Sequence, residues 1–184
     1  MTTISSETLR ELQARVFREV PERFHYPRLL AVISLSEEFG ELAEVISPNP
    51  DRASLPCSIE GEIGDVLLCC LEIANAYGTE ISSTLSDRAT AQVREHILTE
   101  LSVAVGAVSK ACLQLELTDS LEQGDLGRAL GRVCALLELL AASLAIDIAS
   151  AFDAKFSTIL DRIASGQWER LYGDRLLKKR LRID

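Results

Sequence analysis

Two stretches of this chain interleave acidic and apolar residues at helical spacing: Glu37-Glu38-Phe39-Gly40-Glu41-Leu42-Ala43-Glu44, then Glu62-Ile63-Gly64-Asp65-Val66-Leu67-Leu68. Residues three or four apart share a helix face, so Glu38 with Glu41, and Glu62 with Asp65, each set two carboxylates on one stripe. The stripes adjoin apolar residues. Like charges beside a core repel one another and are costly to desolvate, so four that converge require a compensating cation. Oxygen-only donors select hard ions, and Mg²⁺, with Mn²⁺ as a substitute, is the expected guest.

At 184 residues the chain can build one substantial core, or two small units sharing one. Glu and Arg interrupt the apolar runs before about 18 residues, which argues against a membrane span. The start, Met1-Thr2-Thr3-Ile4-Ser5-Ser6-Glu7, lacks the basic and apolar regions of a signal peptide, so a cytoplasmic protein is expected. Five cysteines (Cys57, Cys69, Cys70, Cys112 and Cys134) include no CxxC pair, and most lie in apolar helical runs. They read as small buried hydrophobes. A formal charge of −9 opposes non-specific binding to nucleic acid but leaves room for a small anionic ligand carried by metal and a few local cations.

Apolar residues recur at three- and four-residue intervals throughout, as in Leu9, Leu12, Val16, Val20 and Phe24, and strand signals are nearly absent. The expected fold is all-α, with helices at about 5–24, 28–47, 59–77, 79–90, 93–117, 125–145 and 147–165. The second half repeats the first. An offset of 66 superposes Gly40 on Gly106, Leu35 on Leu101 and Leu42 on Val108. An offset of 67 sets Ile63-Gly64-Asp65-Val66 on Leu130-Gly131-Arg132-Val133, and Tyr77-Gly78-Thr79-Glu80-Ile81 on Leu144-Ala145-Ile146-Asp147-Ile148. Apolar positions survive and the acids lapse: Glu38, Glu41, Glu62 and Asp65 correspond to Ala104, Ala107, Ala129 and Arg132, and Glu44 to Lys110. Two helix pairs packed about a pseudo-twofold axis would make one pseudo-dimeric four-helix core. The expected units are a first repeat over 1–91 with the acidic site, a degenerate second repeat over 92–166 and a tail over 167–184.

The two acidic stretches resemble the ExxE…ExxD signature of the MazG-like all-α nucleoside triphosphate pyrophosphohydrolases, and Ala74-Asn75-Ala76-Tyr77-Gly78-Thr79-Glu80-Ile81 resembles that family's helix end and next helix start. The resemblance implies that Glu38, Glu41, Glu62 and Asp65 bind Mg²⁺, that Mg²⁺ holds a nucleoside triphosphate, and that water attacks the α-phosphorus to give nucleoside monophosphate and pyrophosphate. Glu38 or Glu41 would activate the water. The family's phosphate-contacting Lys falls at Arg88 in the first copy and Lys155 in the second. Dimers are common in the family, so a homodimer is an expected state. Phosphoribosyl-ATP pyrophosphohydrolase is a close enzymatic alternative, though the extra basic residues its substrate would want are not evident. A regulatory protein that holds nucleotide without turnover is the alternative from another class.

Other acids, Glu37, Glu44 and Glu60, read as solvated. Glu72 lies seven residues beyond Asp65 on the same face and is a candidate to stand behind the ligands. Glu22 and His25 have the ExxH spacing of di-iron bundles, but His96 is preceded by Val93 and the second motif fails. His25 and Tyr26 instead read as a helix-end pair that caps the core or lines a pocket mouth. Trp168 and Tyr172 are expected to pack a tail against the bundle, and the basic run Leu176–Arg182 to be a solvated terminus.

Overall fold

A computed structural model describes residues 4–47, 58–82, 94–118 and 123–168. All regular structure among them is helical: α1 (Ser6–Glu19), a 3₁₀ turn (Glu22–Phe24), α2 (Arg28–Ile46), α3 (Ile59–Tyr77), α4 (Arg94–Leu117), α5 (Gln123–Ser143) and α6 (Ile148–Ala164). Capping follows the sequence. Ser5, Ser58 and Asp147 precede α1, α3 and α6, and their side-chain oxygens accept from the amides of Thr8 (3.0 Å), Gly61 (3.0 Å) and Ser150 (2.8 Å).

Two expected helices are corrected. The first does not run to residue 24, because Pro21 lacks an amide proton and the chain turns extended at Val20 before the 3₁₀ turn. The expected helix over 79–90 does not begin at 79. Gly78 ends α3 in the left-handed conformation (φ 64°), and residues 79–82 continue without helix, with Ser82 N donating to Gly127 O of α5 at 3.1 Å. The rest of that segment, with Arg88, lies outside the described residues, as do Cys57, Tyr172 and the basic run.

Helix α3 is the axis of the molecule. Every residue from Glu62 to Leu71 is buried, and α1, α2, α5 and α6 all pack on it. α4 lies against α5 and α2. The stretch His96–Leu117 of α4 is, by length and composition alone, long and apolar enough to cross a membrane (mean hydropathy 1.3), contrary to the expectation that charges break every such run. Its buried face, including Leu101, Ala104, Val108 and Cys112, belongs to the common core. Cys69, Cys70, Cys112 and Cys134 are free and buried, and Trp168 packs on the core.

The α2–α3 and α4–α5 hairpins match in detail. Leu35 and Leu101, Leu42 and Val108, Ile63 and Leu130, and Val66 and Val133 are all fully buried. The ends of α3 and α5 share one hydrogen-bond pattern at the offset of 67. Thr79 N donates to Ala74 O (3.0 Å) and Ile146 N to Ala141 O (2.9 Å), while Gly78 N donates to Asn75 O and Ala145 N to Ala142 O, both at 3.2 Å. Ala145 takes the glycine's left-handed conformation at φ 58°, where its Cβ is strained. Ala145→Gly is therefore expected to stabilise the protein by about 0.5–1 kcal/mol, read as a higher denaturant midpoint.

At Gly64, α6 crosses α3 at close range. A Cβ there would lie 2.7 Å from Ala151 O and 3.0 Å from Lys155 Cβ, so a side chain must push α6 away. Gly64→Ala should cost about 1–3 kcal/mol in denaturant unfolding, whereas no loss of stability would contradict the close crossing.

Candidate active site

Buried α3 carries Glu62 and Asp65 inward, only 3% and 7% exposed, and the adjacent α2 presents half-buried Glu38 and exposed Glu41 toward them. One carboxylate oxygen from each of Glu38, Glu41 and Glu62 lies within 4.8 Å of the other two. Asp65 is not in that triad; its Oδ2 is in contact with Nζ of Lys155, which reaches over from α6. The close crossing at Gly64 sets this pairing, since Lys155 Cβ packs directly over that glycine. Glu37, Glu44 and Glu60 are exposed, as expected of solvated acids.

Electrostatics match the crowding. Burial pushes Glu38 up to about 8, and the charges of Asp65, Glu41 and Glu62 add to it against the pull of Lys155. Burial likewise raises Asp65, with Glu41 adding, and outweighs the Lys155 ion pair. Lys155 itself is raised: burial disfavours its charge, but the hydrogen bond and charge of Asp65, with Glu38 and Glu62 behind it, prevail. The set is therefore short of positive charge. Its donors are all carboxylate oxygens, without nitrogen or sulfur, and fit a hard divalent cation.

Beside Lys155 opens a cleft of about 490 Å³, within the range of small-molecule sites. Ser58 and Gly61 at the start of α3, and Ser150, Ala154, Lys155 and Thr158 of α6, line it. Glu60 and Asp147 also lie on its wall, and among the described residues that line it Lys155 is the one cation. The sequence offered no signal for Ser150 or Thr158, because only the packing of α6 on α3 brings them to one cleft with the start of α3. His25 and Tyr26 do line a pocket, a smaller one near the end of α3 with Glu72 in its wall.

In the second hairpin the corresponding place is closed differently. Arg132, aligned with Asp65, pairs with Glu100 of α4 at 2.5 Å, and Ala104 is buried where Glu38 stands in the first. Among the described residues, the triad in the first hairpin is the one group of acids close enough together to hold a metal ion.

Residues 28–97 match the family model of the MazG nucleotide pyrophosphohydrolase domain, a span that takes in α2, α3 and all four acids. The all-helical structure of this segment agrees with that match. No curated protein and no solved structure matches the chain.

The raised Glu38 gives a pH signature to the metal-free protein. Its carboxyl stays protonated in the folded state after unfolded chains ionise near pH 4.5, so folding stability falls as pH rises from there and the loss is complete above about 8. Melting temperature without divalent ions should thus be lower at pH 9 than at pH 6, and Glu38→Gln should flatten the difference. A profile equally steep in the variant would assign the pH dependence to other groups.

Proposed function

We propose that the chain is a Mg²⁺-dependent nucleoside triphosphate pyrophosphohydrolase that releases nucleoside monophosphate and pyrophosphate, clearing non-canonical or surplus deoxynucleotides. The carrying observation is the convergence of Glu38, Glu41 and Glu62 inside the matched segment, with Asp65 of that segment paired to Lys155 of α6. Glu38, Glu41, Glu62 and the free oxygen of Asp65 would hold the ion. Bound there, Mg²⁺ or Mn²⁺ neutralises phosphate charge and acidifies a ligated water. Whichever of Glu38 and Glu41 is less engaged orients that water and takes its proton. Lys155, on the cleft wall, meets the negative charge that develops on the departing pyrophosphate. Arg88 is the second choice for this contact.

The tandem reading belongs to the same proposal: 1–91 is an intact copy, 92–166 a degenerate one and 167–184 a tail, with one site per chain and a homodimer as a possible assembly. The equal burial of matched positions and the shared helix-end pattern of Gly78 and Ala145 support it. On this reading the second copy lost its acids and kept a cation that serves the first copy's site. A second function, nucleotide binding without turnover, is favoured by one observation: Lys155 engages Asp65, a member of the ligand set. Pyrophosphate release separates the two.

With a panel of (d)NTPs and Mg²⁺, turnover should yield pyrophosphate rather than phosphate. Asp65→Asn and Glu41→Gln should each lower it by orders of magnitude while the fold survives, and unchanged turnover in both would refute the metal assignment. Lys155→Ala should weaken triphosphate binding or turnover roughly ten- to a thousand-fold, ~1.4–4 kcal/mol, and metal affinity without nucleotide much less. Nucleotide titration should saturate at one per chain, and two would contradict a degenerate second copy.

A further inference from the structure

The cleft beside Lys155 is larger than the chemistry at the acids needs. At about 490 Å³ it has room for about sixteen water molecules, whereas the terminal phosphate of a triphosphate, with about five heavy atoms, would fill roughly a third of it. It opens because the residues that α6 turns toward the start of α3 are small. Ser150, Ala151, Ala154 and Thr158 recur at three- and four-residue intervals, opposite Ser58 and Gly61. The cleft joins the acids along one edge: Lys155 is on its wall and meets Asp65 through Nζ, and Gly61 immediately precedes Glu62 in α3.

Its wall is rich in acceptors and poor in positive charge. Glu60 and Asp147 line it, both exposed, and an ionised carboxylate only accepts. Asp147 Oδ1 accepts from Ser150 N at 2.8 Å, which holds that carboxylate at the start of α6. Thr158 Oγ1 donates its one proton to Ala154 O at 3.0 Å, so toward the cleft it is an acceptor. The donors are the Lys155 ammonium and the hydroxyl of Ser58, whose oxygen accepts from Gly61 N at 3.0 Å and whose own proton is not used in that bond. A terminal phosphate pushed past Lys155 would face two carboxylates with that one ammonium to offset them. An uncharged group with several hydroxyls reverses the balance, because each hydroxyl brings a donor to a wall of acceptors.

We propose that this cleft seats a hydroxylated group carried on the β-phosphate, so that the site takes nucleoside diphosphate sugars. The inference rests on the pyrophosphohydrolase reading above and extends its substrates beyond triphosphates. Water attacks the α-phosphorus, the bond from that phosphorus to the bridging oxygen breaks, and the oxygen leaves on the sugar phosphate. Glu38 or Glu41 takes the proton of the water, and the products are nucleoside monophosphate and sugar phosphate. Lys155 meets the β-phosphate at the edge of the cleft, and the sugar lies beyond it among Glu60, Asp147 and Thr158.

The test compares UDP-glucose, GDP-mannose and ADP-ribose with UTP, GTP and ATP in the full-length protein with Mg²⁺. At least one sugar nucleotide should be cleaved to nucleoside monophosphate and sugar phosphate with kcat/KM roughly tenfold above the triphosphate of the same base. Glu60→Gln removes a charged acceptor from the wall. It should lower kcat/KM for that sugar nucleotide about three- to tenfold and raise it for the triphosphate, opposite signs that a general defect in folding does not give. Ala154→Leu, on the exposed side of α6, fills the cleft and should bring the ratio to one or below. A wild-type ratio already at or below one, or a ratio unmoved by both variants, would overturn the cleft assignment and leave the pyrophosphohydrolase standing. If no nucleotide is hydrolysed, the pyrophosphohydrolase reading fails on its own, and the cleft is judged by titrating UDP-glucose against UDP with Mg²⁺ by NMR. Tighter binding of UDP-glucose that Ala154→Leu abolishes supports the assignment, and equal binding of the two overturns it.

Discussion

Two carboxylates sit where a core would ordinarily admit none. Glu62 and Asp65 occupy the buried run of α3, and α2 adds Glu38 and Glu41 across a short gap. A buried carboxylate either finds a cation or takes up a proton, and both responses are visible: Asp65 meets Lys155, while Glu38 is pushed up to about 8. The rest of the bundle serves this arrangement. Helices on four sides keep α3 dry, and the absent side chain at Gly64 lets α6 approach closely enough for Lys155 to reach the aspartate.

The second hairpin packs the same way without the acids. There Ala104 fills the place of Glu38, and Arg132 with Glu100 makes an ordinary half-exposed ion pair whose net contribution to stability is small. The contrast carries weight because the backbones agree at a point where the sequence disagrees. Ala145 holds the conformation that Gly78 holds without strain, with the same hydrogen bonds 67 residues on. On the tandem reading proposed above, that shared left-handed helix end is inherited geometry.

Helix type and the acidic pair of stripes were legible because both depend on local spacing: α2 through α6 fall close to where periodicity puts them. The break at Pro21 was legible in principle, since a proline within a helical pattern is a stop signal, but the apolar rhythm through Val20 and Phe24 masked it. Residues 79–82 were misread for another reason. Ile81 has helical neighbours in sequence, yet Ser82 is hydrogen-bonded to α5, a tertiary preference that no window around it contains. Lys155 could be nominated by the repeat, but its contact with Asp65 required knowing that α6 lies on α3. Ser150, Thr158 and the cavity around Glu72 required the packed bundle itself.

The Asp65–Lys155 pair links stability to chemistry. Breaking a buried ion pair by removing one partner leaves an uncompensated charge, so the pair is poorly replaced once formed. On the proposed function it would nevertheless be exchanged: a divalent ion held with Asp65 among its ligands would take over the neutralising role and leave the ammonium free for a phosphate oxygen. On that view Lys155 serves the unliganded fold and the liganded site in turn, holding Asp65 when the acids are empty and the phosphate chain when they are filled. The close crossing at Gly64 keeps both partners within reach of one side chain, which explains why a cation from a distant part of the sequence can complete a set of acids built by α2 and α3.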